Sequence, residues 1–282
     1  MSFSDRIGLT SPKIKIQIDS LDNDLLNSLW NCFSLSYADR IKSQPYDVIS
    51  LSKYKDFVKS IWANFFKEPL DTMPNTNSGA INYIREKFYS YNWYEVYNFI
   101  EFILKNPEAR NNDNFTESLN TVLARELAGY RIIAGEVTPI TDQFQVSQIQ
   151  SAIDNTSKEL LKGVNIHINS ALNKLSDKKS PDYRNSIKES ISAVESMVQI
   201  ITGDSKAELG KGLKIIKDKI GLHTALEQGF IKIYGYTSDS DGIRHSLMEE
   251  STLDIEDAIF MLTSCSAFIN YLFVKSDKAK LV

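Results

Sequence analysis

The sequence predicts a mainly α protein: a helical N-terminal domain with one small β-hairpin, followed by a helical bundle. Three observations predict it. Apolar residues recur at steps of three and four along most of the 282 residues. One stretch, near residue 135, abandons that period for β-prone residues around a turn. Only 12 Gly and 7 Pro punctuate the chain, which excludes collagen-like or linker-dominated architecture.

The first helix is expected where Asp19-Ser20 precedes Leu21, Leu25, Leu29 and Phe33. Phe57, Ile61 and Phe65 repeat the spacing before Pro69, and residues 71–79 read as a loop. Trp93, Val96, Tyr97, Ile100 and Ile103 give a further helix stopped near Pro107, and Leu119, Leu123 and Leu127 another. Two β-prone pieces around Ala134-Gly135-Glu136 predict the hairpin. Ile149, Ala152 and Ile153 lead out of the first domain. Beyond them Leu161, Val164, Ile168, Ala171 and Leu175 form one stripe. After Ser180-Pro181-Asp182, a second runs through Ile187, Ile191, Val194, Val198 and Ile201 to Gly203. A shorter helix is expected at 209–220, a loop from Tyr234 to His245, and a last long helix through Ile255, Ile259, Leu262 and Ile269.

This length exceeds one typical domain, and the boundary is placed near 150, giving domains 1–150 and 151–282. The net charge is −4, but residues 158–219 hold 12 basic and 8 acidic side chains. A basic surface around Lys158, Lys162, Lys174, Lys178, Lys179 and Arg184 would meet phosphates; the simpler reading is a solvated helical face. No apolar run approaches the roughly 18 residues of a membrane span, and no secretory signal opens the chain. A cytoplasmic protein with no membrane partner is expected. Cys32 and Cys265 read as two buried thiols.

Three histidines keep the search for chemistry short. His167 reads as structural or partly exposed, and His223 has no evident partner. No His, Cys, Asp and Glu spacing matches a metal pattern, and Gly210-Lys211-Gly212 lacks the rest of a phosphate loop. No metal or cofactor is therefore expected. His245 follows Arg244 just after a glycine-containing loop, and the pair has what RNA cleavage by internal attack requires. An imidazole can move the 2′-hydroxyl and leaving-group protons, and a guanidinium can hold the scissile phosphate. Arg184 is a second candidate phosphate ligand, or a helix-start surface residue. Glu189, Glu195 and Asp241 are candidate supporting carboxylates, or solvated ones.

Several segments resemble the AbiJ-like abortive-infection family. In the N-terminal half they are Ser2–Gly8, Ile16–Ser20, Leu29-Trp30-Asn31, Trp93–Tyr97, and Tyr130-Arg131 through Pro139-Ile140. In the C-terminal half Asp182–Glu195, Tyr234-Gly235-Tyr236, Gly242–His245 and Ala267–Leu272 resemble the family's HEPN-type domain. The resemblance implies a HEPN-like up-and-down four-helix bundle, a homodimer formed through it, and metal-independent endoribonuclease action in phage defence. It puts His245 and Arg244 in the catalytic role, with Arg184, Glu195 and Asp241 in support. One departure stands out. Active members place Arg four to six residues before the His, where this chain has Ser238, Asp239 and Ser240. The alternative is a non-catalytic scaffold or nucleotide-binding module. Aromatic residues such as Phe88, Tyr94, Tyr97 and Phe99 suggest base stacking, but their spacing favours core packing.

Overall fold

The computed structural model describes residues 16–109, 113–177, 181–238 and 253–282. The chain divides into two compact units at Thr141/Asp142. It is mainly α, with one two-stranded sheet among the described residues.

In the first unit, α1 (Asn23–Phe33) is capped by Asp22, whose carboxylate accepts the Leu25 N–H at 2.8 Å. The cap thus falls after Leu21, later than Asp19-Ser20, because only Asp22 is positioned to accept the orphan N–H of the first turn. The helix runs through a π-helical stretch, Ser34–Ala38, into α2 (Asp39–Lys42). Likewise α3 (Lys55–Ser60) continues as π-helix over Ile61–Phe66 and ends at Lys67 in the left-handed region, two residues before Pro69. α4 (Asn77–Ser90) takes three residues from the expected loop, because the Thr76 hydroxyl accepts the Gly79 N–H and caps it. In α5 (Trp93–Lys105) the Asn92 N–H donates to Glu95 in a capping box. α6 (Asp113–Arg125) stops short of Leu127, which adopts φ 55°.

The hairpin forms where expected. β1 (Arg131–Ile133) pairs antiparallel with β2 (Glu136–Thr138), and Ala134 and Gly135 both adopt positive φ, as a turn matched to strand twist requires. Core packing claims most of the aromatics. Phe33 meets Phe99 edge-on at 5.2 Å, Tyr37 meets Phe115 at 5.3 Å, and Phe88 and Tyr97 are also buried. Tyr94 is 48% exposed.

The second unit is helical throughout its described residues. α7 (Gln143–Asn155), α8 (Lys162–Ser176), α9 (Tyr183–Thr202) and α12 (Ile255–Lys278) pack together as a four-helix set, with α9 against both α8 and α12. α7 belongs wholly to this unit: Asn270 on α12 donates to the Gln148 carbonyl, and the Asn155 amide donates to Asn270. α10 (Leu209–Ile220) lies on α9, and α11 (Thr224–Ser238) on α10. Asp182 caps α9 by accepting the Asn185 N–H, and Gly203 in the left-handed region ends it. α11 extends through Ser238, so Tyr234–Ser238 is helical where a loop was expected.

One helix corrects the hydropathy reading. α12, 24 residues with a mean hydropathy of 1.5 over an 18-residue window, is long and apolar enough to cross a membrane by length and composition. Only 44% of that window is buried in the bundle. Thr263, Ser264, Ser266 and Asn270 interrupt the apolar run along the chain.

Candidate functional site

α8 and α9 bring a histidine and a carboxylate together. The backbone N–H of Asp182 donates to the Lys174 carbonyl, and the buried Ser186 hydroxyl donates to the Ala171 carbonyl at 2.8 Å. With the helices tied at these points, His167 on α8 faces Glu189 on α9, and Nδ1 lies 2.6 Å from Oε2. The side chains retain 35% and 25% of their exposure, so water reaches both. A carboxylate on Nδ1 fixes the tautomer and the ring's direction, leaving Nε2 for proton transfer or hydrogen bonding.

At the connection between α8 and α9, Asp182 accepts both the side-chain and backbone N–H groups of Asn185. Burial pushes the Asp182 carboxyl up, but those bonds and the charges of Lys174 and Arg184 outweigh it. Its pKa falls below the ordinary aspartate value.

The catalytic candidates His245 and Arg244, and the supporting Asp241, lie outside the described residues. Arg184 and Glu195 are both on α9, half-buried and eleven residues apart. At 1.5 Å per residue they stand about 16 Å apart along the axis, too far to grip one phosphate together. Glu189 orients His167, a pairing the sequence did not reveal. Of the expected basic surface, Lys162 pairs with Glu159 at 3.4 Å and Lys158 lies over the Phe273 ring. Lys178 and Lys179 lie outside the described residues.

The first unit holds an open cleft of about 450 Å³ between α1 and α6, whose lining includes Ser28, Asn31, Cys32, Leu35, Val122 and Arg125. The Arg125 guanidinium donates to Ser28 at 2.8 Å and to Glu126. Burial raises the pKa of Cys32 while Arg125 partly offsets it, and burial takes Cys265 up to about 12. Both thiols are free and buried. Among the described residues, no three of His, Cys, Asp and Glu gather as a metal site would need.

Comparison with protein families decides the relationship: residues 1–155 match the model for AbiJ N-terminal domain 4. The chain belongs to that family. This AbiJ-like protein therefore carries the family's N-terminal domain across the whole first unit and α7, with the rest of the helical bundle following. No characterised protein and no solved structure matches it. The match ends at the last residue of α7, a helix whose packing partners lie in the second unit.

Proposed function

We propose that this AbiJ-like protein is a cytoplasmic abortive-infection effector whose C-terminal unit is a HEPN-type bundle that binds RNA and cuts it without metal. The family match over residues 1–155 carries the reading, since it ties the chain to abortive infection. The four-helix packing of α7, α8, α9 and α12 behind it supports a HEPN-type arrangement. His245 takes the proton of a ribose 2′-hydroxyl, whose oxygen attacks the adjacent phosphorus. The bond from phosphorus to the 5′-oxygen breaks, water protonates that oxygen, and a 2′,3′-cyclic phosphate remains. Arg244 holds the phosphate and offsets its developing charge. Arg184 contacts the strand further along, and Asp241 and Glu195 position the basic groups. Two copies assemble through their C-terminal units.

The test is to incubate the purified chain with total RNA in EDTA, alongside His245→Ala and His167→Ala. Cleavage that survives chelation, disappears in His245→Ala and persists in His167→Ala supports the proposal. Loss in His167→Ala alone would move the chemistry to the His167–Glu189 pair. Intact folding with no cleavage by wild type would instead favour the non-catalytic scaffold.

A further inference from the structure

We propose that a small cavity in the first unit, lined by Phe65, Phe66, Tyr91 and Glu95 among others, binds a primary ammonium group. This goes beyond the nuclease reading, and no residue of the cavity takes part in it.

Three elements meet there. The π-helical stretch Ile61–Phe66 brings Phe65 and Phe66 and ends at Lys67, whose φ of 57° turns the chain into Glu68. The last turn of α4 supplies Lys87 and the residue after that helix is Tyr91, while the first turns of α5 supply Glu95 and Asn98. π-Helical turns are rare and recur at functional sites. The cavity holds about 260 Å³, below the roughly 300–1,000 Å³ that drug-sized ligands occupy. A head group on a short chain fits that space better than a nucleotide. The Phe65 ring stands at 76° to Tyr91 and at 59° to Phe66, with centroids 6.1 and 5.9 Å away. Rings inclined in this way, rather than stacked on one another, leave faces whose quadrupole attracts a cation.

Charge selects the ligand. Two carboxylates, Glu68 and Glu95, against one ammonium, Lys87, leave the lining with one net negative charge. Lys87 is already engaged: Nζ lies 2.9 Å from Glu68 Oε1 and 5.3 Å from the centre of the Tyr83 ring. Glu68 is engaged in turn, because the Tyr83 hydroxyl donates to both its oxygens. Glu95 is different. Its Oε2 accepts the backbone and side-chain N–H groups of Asn92, but Oε1 accepts no hydrogen bond and no cation pairs with it among the described residues. The Asn98 side-chain amide likewise has no protein partner among them. An ammonium in the cavity meets the rings and donates to Glu95 Oε1 and the Asn98 side-chain oxygen. A phosphate or carboxylate would meet the unpaired Glu95 and a lysine already neutralised.

Isothermal titration calorimetry of the full chain with cadaverine, a diamine with the carbon chain of a lysine side chain, tests the site in wild type, Glu95→Gln and Tyr91→Leu. Glu95→Gln keeps an acceptor for the Asn92 N–H, and so the helix cap, while removing the charge. Tyr91→Leu keeps an apolar contact and removes the ring. Cadaverine should bind Glu95→Gln about tenfold and Tyr91→Leu about fivefold more weakly than wild type, with the far-ultraviolet helical signal intact in both. Tetramethylammonium, which has no N–H to donate, should bind wild type about tenfold more weakly than cadaverine. Nα-acetyl-lysine amide separates two sources of the ammonium. Affinity equal to that of cadaverine assigns the cavity to the lysine side chain of a protein, and weaker or absent binding assigns it to a free amine. No heat with either amine, affinity indifferent to both variants, or tetramethylammonium binding as tightly as cadaverine would overturn the site. So would adenosine monophosphate binding that Glu95→Gln strengthens, which would assign the cavity to an anion.

Discussion

Nδ1 of His167 lies 2.6 Å from Oε2 of Glu189 across the seam between α8 and α9, though 22 residues separate them in the chain. The contact is a hydrogen bond to a carboxylate in a half-exposed place, where such bonds contribute about 1 kcal/mol. Urea unfolding of His167→Ala, Glu189→Ala and the double variant should therefore give a coupling energy of about 1 kcal/mol. Additive losses would show that the pair holds nothing together.

Glu68 is expected to make stability depend on acid. Its carboxylate accepts Lys87 at 2.9 Å and the Tyr83 hydroxyl through both oxygens. The bond from Lys87, then that from Tyr83, lowers its pKa below the ordinary glutamate value. A lowered carboxyl pKa stabilises the fold above the unfolded-state value of about 4.3 and loses that contribution as pH falls through the folded value. Melting temperature should thus drop less steeply below pH 5 in Glu68→Gln than in wild type. Parallel curves would refute the assignment.

The two thiols should differ in reach. Burial raises both pKa values, Cys265 to about 12, and the thiolate is the reactive form. Ellman's reagent at pH 8 should find neither in the native protein. As urea rises, Cys32 should react before Cys265, because it borders the α1–α6 cleft and Arg125 eases its ionisation. Native labelling of Cys265 would contradict its place in the core.

Gly212 sits inside α10 where alanine would ordinarily favour the helix by about 1 kcal/mol. A Cβ there would run into Cγ1 of Val198 on α9, a stiff β-branched side chain. Overpacking of this kind costs about 1–3 kcal/mol, so Gly212→Ala should lower stability despite the better propensity. Chemical denaturation checks the sign, and a stabilised variant would show that the two helices can move apart.

Sequence alone determined the helical class, the hairpin and the family. Period and turn chemistry are local: Ala134-Gly135 accepts positive φ, and Ile187 to Ile201 keeps one face whatever lies opposite. Local signals also misplaced what depends on a competing partner. The first helix starts at Asp22 rather than Asp19-Ser20, and Tyr234–Ser238 stays helical despite its turn-forming composition. Tertiary structure alone decided that Glu189 serves His167. It also gave α7 to the second unit and buried only 44% of the apolar 18-residue window of α12. The reason is geometric: a helix fixes which residues share its face, but only packing between helices brings together side chains distant in the chain.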